Sequence, residues 1–399
     1  MNSSIAWLDA SADEQRRVRE LIALFEQPGT LDELGLGQVR DVMSNALFPG
    51  TSVLLTRARY FVFIPWAYLS RQASGRIGSD LKAQVDRSQR VLIETLRSSH
   101  QTGVIGAIAG AKVRTLPSTI YWNGLITFGI LRRDVAPEAL SAVRPLLDDA
   151  DELATRLASD WHPSIPPVPP GFPEKLEGGL EMTADEAGWL RERIVDSVPG
   201  TLLAHLATAD RAPDRTSPHP WRDEVAMSSQ GKAADALGHA HMFSLAMLGA
   251  TRLYGVLVAE AYERAGFNAL QDPVASHADA FREWAEQIAE ERHFLEAWEL
   301  DDFWRFVYER NARVSPLTRR FVQSWVDAVR SGSAAGALGL DAPRQLVADR
   351  ERAVKRVQAR LSNTRLLGLW SGAVASGLDY RWPAVKTIIT DIHEGLGRA

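Results

Sequence analysis

The chain contains no cysteine. That absence removes disulfides, thiolate-bound zinc, iron–sulfur clusters and thiol nucleophiles together, and it fits a reducing cytoplasm. A positively charged start followed by an apolar stretch is also missing, since the N-terminus reads MNSSIAWLDASADEQRR. No run approaches the ~20 apolar residues of a membrane span, so the expectation is a cytoplasmic protein with no membrane partner. Catalytic signatures are equally scarce. No GxxxxGK[ST] phosphate loop, GxSxG elbow or HExxH zinc helix occurs. The stretch Gly103–Lys112 is rich in glycine, but it lacks the preceding strand and the spacing of a nucleotide loop and reads as small residues in a packed helix. His239 and His241 point about 200° apart on ideal helical geometry and cannot easily share a metal. Glu290 and His293 have the spacing of carboxylate-bridged bundle sites, yet such a site needs a matching pair from other helices. No cofactor or metal is expected, and a non-enzymatic role is favoured.

Excess positive charge is lacking overall, with a net charge of −5 at pH 7, which argues against a bulk basic nucleic-acid binder. The charge is unevenly placed, however. Between Arg305 and Arg365 stand thirteen arginines and lysines against five acids, a local balance of +8 against −13 for the remainder. One basic segment therefore sits on an acidic body.

What is present is a chain of 399 residues, 45% apolar and 24% charged, ordinary for a folded protein and longer than one core usually covers. Capping and apolar spacing predict an opening helix over Asp13–Gln27 with Ser11 as N-cap, and further helices over Gly37–Leu47 and Ser79–Ser98. Val53–Tyr60 reads as a strand, and Val62–Ser70 reads as a buried helix. A short helix at Thr102–Gly110, a basic turn at Lys112–Thr115, a helix over Pro117–Phe128 and an extended Ile130–Arg133 follow in the order of a helix-turn-helix with a wing. Downstream, helices are expected over Ala184–Asp196, Lys232–Ala265, Ala278–Glu299, Leu300–Asn311, Pro316–Arg330 and Arg344–Leu369. The fold class is accordingly mainly α: an N-terminal domain with a winged-helix-like unit and a few short strands, then a C-terminal helical bundle. The boundaries are 1–160 for the N-terminal domain, with the winged helix at about 80–135, 161–173 for a proline-rich linker, and 174–399 for a C-terminal helical domain carrying the basic segment 305–365.

Three constellations carry chemistry. Ser118, Thr119 and Asn123 lie near the start of the helix at Pro117, preceded by Lys112 and Arg114 and followed by Arg132 and Arg133, so small polar groups could reach base edges while cations hold phosphates. The alternative is a unit used only for protein packing, with Tyr121, Trp122, Leu125 and Phe128 as its core. Arg352, Lys355, Arg356 and Arg360 recur at helical spacing and would form a cationic ridge able to track phosphates, or a solvated face paired with Asp349 and Glu351. Arg57 and Arg59 lead into an apolar run beside Tyr60, and a second mixture of arginine and aromatics stands at Arg381 and Trp382. Brought together they would make a cation-and-aromatic site for phosphate or base stacking. Bridged instead to Asp9, Asp32 or Asp41 they would be structural, which is favoured for at least one arginine because buried guanidinium is usually paired.

The chain resembles an uncharacterised bacterial family, a domain of unknown function, through IAWLD at Ile5–Asp9, DELGLGQVRD at Asp32–Asp41 and FPGTSVLLTRARYFVFIPW at Phe48–Trp66. IYWNGLITFGI at Ile120–Ile130 and LDYRWPAVKTIITDIHEGL at Leu378–Leu396 extend the resemblance over almost the whole chain. The family carries no established activity. Its members are met near helicases, nucleases or methyltransferases in phage-defence gene clusters, which implies DNA or a defence-complex protein such as a helicase or nuclease as partner. The expected function is a non-catalytic DNA-binding or nucleic-acid-complex component; the alternative is a helical adaptor that docks an acidic protein without touching nucleic acid.

Overall fold

A computed structural model describes residues 32–72, 77–98, 100–140 and 159–398. The expected opening helix over Asp13–Gln27 lies outside the described residues. The helices are α1 (Gly37–Leu47), α2 (Tyr60–Gln72), α3 (Gly78–Ser98), α4 (Pro117–Thr127), α5 (Ala184–Ser197) and α6 (Leu202–Thr208). Then follow α7 (Lys232–Arg264), α8 (Pro273–Glu290), α9 (Arg292–Ala297), α10 (Leu300–Arg310), α11 (Pro316–Arg330), α12 (Asp341–Lys355) and α13 (Trp382–Leu396), besides single turns. The fold is mainly helical. Among the described residues no sheet forms, and the one extended pairing is an isolated antiparallel bridge between Leu131 and Trp161.

Two compact units are present. The first combines the described residues up to Arg40 with His241–Leu378, and the second combines those from Asp41 to Ala240 with the C-terminal stretch from Asp379. The proline-rich stretch 161–173 belongs to the second unit.

In the second unit α2 is apolar on nearly every side, so it is a central element: Tyr60 through Tyr68 are all buried. It packs on α3 and α4. Tyr121 and Phe128 of the α4 region meet Phe61 with ring centroids 4.9 and 5.2 Å apart. Gly124 allows this approach, because a Cβ there would lie 2.7 Å from both the Gly50 carbonyl and the Phe61 ring. A second layer consists of α13 against α5 and α6. Thr183 and Glu186 close a reciprocal capping box at the start of α5.

In the first unit the part of α7 from His241 onward is the core helix, and two tryptophans bond its main chain: Trp284 Nε1 to the Leu245 carbonyl at 2.9 Å and Trp325 Nε1 to that of Ala246 at 2.8 Å. By length and composition α7 could cross a membrane, but 72% of its most apolar window is buried within the protein.

Several expected elements differ. Val53–Tyr60 is not a strand, because its amides are satisfied elsewhere: Thr56 and Arg57 N–H donate to the Tyr121 hydroxyl, and Ala58 N–H donates to Asp391. Thr102–Gly110 is not a helix, because Gly103, Gly106 and Gly110 all take left-handed φ values of +88°, +81° and +57°. With no helix before the turn and no hairpin after it among the described residues, the order of a winged helix is not built there. The helix expected over Ala278–Glu299 breaks at Glu291, whose carboxylate lies 2.8 Å from His241 Nε2. The helix expected to run to Leu369 stops at Lys355. There the buried Glu351 carboxylate accepts Arg360 N–H at 2.6 Å and Leu361 N–H at 3.3 Å, and Arg356 turns the chain with a φ of +51°.

Candidate nucleic-acid interface

Arg57 and Arg59 turn out to be fastened inside the second unit. Arg57 Nε donates to both Asp391 oxygens at 3.0 and 2.9 Å, and the same carboxylate accepts Ala58 N–H at 2.8 Å. Burial pushes the Asp391 carboxyl above the usual carboxylate range, against the downward pull of Arg57 and the Ala58 amide. Arg59 donates to the Glu177 and Gly179 carbonyls at 2.8 and 2.7 Å and to Glu186 at 2.9 Å. The acids that answer the two arginines are thus Asp391 and Glu186, far away in sequence, rather than Asp32 or Asp41, while Asp9 lies outside the described residues. Asp32 is spent on the start of α1, where it accepts Gly37 N–H at 2.7 Å.

The aromatic and C-terminal members of that constellation are likewise consumed. The buried Tyr60 hydroxyl accepts Ile105 N–H at 3.0 Å, and burial raises its pKa. Tyr121, also buried, donates to the Arg57 carbonyl at 2.8 Å and is pushed up to about 12 by burial. Arg381 donates to Asn45 Oδ1 at 2.9 Å and to the Thr51 carbonyl at 2.8 Å. Trp382 is fully buried, stacks on Phe48 at 5.9 Å and donates to the Ser217 carbonyl at 3.1 Å. These side chains hold the Pro49–Tyr60 segment against α13. They do not present an open anion site.

Seven of the thirteen cations of the basic segment pair with acids of their own unit, while Arg313, Arg320, Arg356 and Arg365 are exposed with no partner among the described residues. Arg305 pairs with Asp302, Arg319 with Asp301, Arg344 with Glu260 and Arg352 with Asp349. Glu33 takes both Lys355, at 3.2 Å, and Arg360. Arg350 is buried, bonded to the Leu34 and Gly35 carbonyls at 2.7 and 3.1 Å and to Thr318 Oγ1 at 2.9 Å. The local charge of +8 counted along the sequence therefore includes charges cancelled in space. Because α12 ends at Lys355, Arg352, Lys355, Arg356 and Arg360 do not lie on one continuous helix; of these four, Arg356 alone has no partner among the described residues.

A second stretch of chain also carries cations unpaired among the described residues. The segment 107–118 runs back along α3, in a register fixed by side chains: Arg97 Nε donates to the Ala107 carbonyl at 3.1 Å, Ala111 N–H donates to Glu94 at 2.8 Å, and Arg90 donates to the Ala111 and Val113 carbonyls. At its end Gln89 and Ser118 bond each other twice, at 2.8 and 3.0 Å. Ser118 is therefore buried and unable to meet a partner. Thr119 and Asn123 are exposed, one turn apart on α4, while Lys112, Arg114 and Arg87 are exposed and have no partner among the described residues. Arg132 and Arg133 are exposed as well, and Arg133 pairs with Asp160. Arg87, Arg90 and Arg97 were hidden in an ordinary amphipathic helix; only the return of the chain along α3 joins them to Lys112 and Arg114. Unpaired cations thus stand on α3 and on the segment that runs along it, and the exposed Thr119 and Asn123, able to donate and accept hydrogen bonds, follow in the first turns of α4. Among the described residues no group of three or more His, Asp or Glu side chains could hold a metal.

Residues 2–395 match the family of unknown function DUF6361, and the chain belongs to that family. No curated protein and no solved structure matches it.

Proposed function

We propose that this protein is a non-catalytic nucleic-acid-binding component that engages duplex DNA with the α3–α4 face. The observation that carries the proposal is the set of exposed cations Arg87, Lys112 and Arg114, which have no partner among the described residues, on α3 and on the segment that leads into the exposed Thr119 and Asn123 of α4. Cations without internal acids are the ones free to displace counterions from phosphates. Thr119 and Asn123 are suited to groove edges, where amide and hydroxyl groups read bases. In this reading α4 works without a wing, and Arg132 supports its far end. Such a component would serve a cytoplasmic complex that processes DNA, in keeping with the helicase or nuclease partners that the family resemblance implies.

The test is fluorescence anisotropy of a labelled duplex titrated with the protein over a series of salt concentrations. Binding should weaken steeply with salt, with each phosphate contact contributing about −0.9 to the slope of log K against log salt. Arg87→Ala, Lys112→Ala and Arg114→Ala combined should lower affinity at least tenfold and flatten the slope by about 2 to 3. Arg356→Ala should leave both unchanged. Undiminished binding by the triple variant would sink this assignment, as would duplex-independent capture of an acidic protein.

A further inference from the structure

On this same face, we propose that Ile108 is an apolar wedge that inserts between base pairs of the bound duplex. The inference rests on the nucleic-acid reading above and adds how the duplex is deformed. Ile108 is 99% exposed, the most exposed of the large apolar side chains among the described residues, and Ala107 and Ala109 beside it are exposed too. An isoleucine in such a position usually folds back or belongs to a loose loop. Here the side chain stands in solvent, and main-chain and side-chain bonds hold the loop on both sides of it.

The tip is a succession of tight turns enforced by Gly103, Gly106 and Gly110, each at a φ that side-chain-bearing residues rarely adopt. Ala107 N–H donates to the Val104 carbonyl at 3.1 Å, Gly110 N–H to Gly106 at 2.7 Å, and Lys112 N–H to Ala109 at 3.2 Å. Below the tip Val104 and Ile105 are buried, and Ile105 N–H is held by Tyr60. From α3, Arg97 grips the Ala107 carbonyl and Glu94 grips the Ala111 amide. The chain is fastened on both sides of Ile108, yet the Ile108 side chain itself is left in solvent. The ordering entropy of the surrounding main chain is already spent before any partner arrives.

Charge decides what that partner is. The tip leads into Lys112 and Arg114 on its own strand of chain, exposed and unpaired among the described residues, whereas the acid bonded into this stretch, Glu94, is matched by Arg97 and the Ala111 amide. A polyanion that accepts an apolar group between its charges fits this combination. Duplex nucleic acid does so at flexible pyrimidine–purine steps, where Phe, Leu, Ile, Met or Pro wedges unstack bases and kink the helix by about 20–90°. An anionic lipid surface offers the same charge, but a single isoleucine is a small anchor.

The experiment uses the full chain and a 20-base-pair duplex carrying end dyes and 2-aminopurine at a central TA step. The wild-type protein should bring the ends together by energy transfer and raise 2-aminopurine fluorescence on binding. Ile108→Ala, a change at a fully exposed side chain, should bind within about tenfold of wild type yet lose both signals. Wild-type binding without either signal, or signals retained by I108A, overturns the wedge and leaves the nucleic-acid reading standing. Absence of duplex binding removes both, and sedimentation with phosphatidylserine vesicles, lost in I108A, would then assign the tip to lipid.

Discussion

Asp391→Ala tests the arrangement on which the second unit depends. The carboxylate is 5% exposed and accepts both contacts of Arg57 Nε as well as the Ala58 amide. Removing it leaves a guanidinium only 16% exposed without its counter-ion, although its Nη1 keeps the Thr102 carbonyl at 3.1 Å. Breaking one side of a buried pair costs roughly 3–5 kcal/mol, and an orphaned amide roughly 1–3 kcal/mol before water reaches it. Partial access of Arg57 to solvent offsets some of this, so the expected loss is about 3–5 kcal/mol. Against total stabilities of about 5–15 kcal/mol that is a large fraction. Urea unfolding followed by tryptophan fluorescence and circular dichroism reads it directly, because Trp66 and Trp161 report the same unit. Arg57→Met should be comparably costly, since it strands the buried carboxylate, and Arg57→Met with Asp391→Leu should recover much of the loss. A cost below about 1 kcal/mol for D391A, or additive single variants with no coupling, would refute the claim that these residues are structural.

Three further outcomes follow from named contacts. Glu33→Ala should cost about 1–3 kcal/mol in the first unit by stranding Lys355 and Arg360, while Arg356→Ala stays within about 0.5 kcal/mol; denaturant midpoints compare them. Gly249→Ala should destabilise by about 1–3 kcal/mol despite alanine's better helix propensity, because its Cβ would meet the Trp284 ring at 2.2 Å; thermal unfolding checks this. His277 is buried and bonded through Nε2 to the Gly372 carbonyl at 3.2 Å, and burial lowers its pKa from 6.5. The folded state then binds fewer protons than the unfolded chain below about pH 6.5, so stability falls as pH drops through that value, and His162 and His219, lowered chiefly by burial too, act in the same direction. Urea midpoints at pH 7.5 and 5.5 measure the loss, which His277→Phe should reduce.

Much of the helical content was legible in the sequence because it follows local rules. The apolar spacing of α3, the proline-led start of α4, and Pro316–Arg330 with Ser315 as its cap needed no distant partner. α13 escaped notice, although LDYRW had already marked its start; Arg381 begins it from a left-handed backbone at +72°, which is no ordinary N-cap signal. The expected strand at Val53–Tyr60 failed for a non-local reason. β-branched and aromatic residues fit a strand only where a neighbour accepts their amides, and here Tyr121 and Asp391 take that place.

By itself the sequence determined a cysteine-free, mainly helical chain whose paired arginines had to find anions, because an uncompensated guanidinium cannot be buried. Only the tertiary structure decided which anions. It gave Arg57 to Asp391, Arg59 to Glu186, and Lys355 and Arg360 to Glu33, cancelling charges that look additive along the chain. The same folding left Arg87, Lys112 and Arg114 without partners among the described residues, on α3 and on the segment that also carries the exposed Ile108. Charge acts through distance in space, so separation in sequence shows how many cations there are but not which remain free to meet a partner.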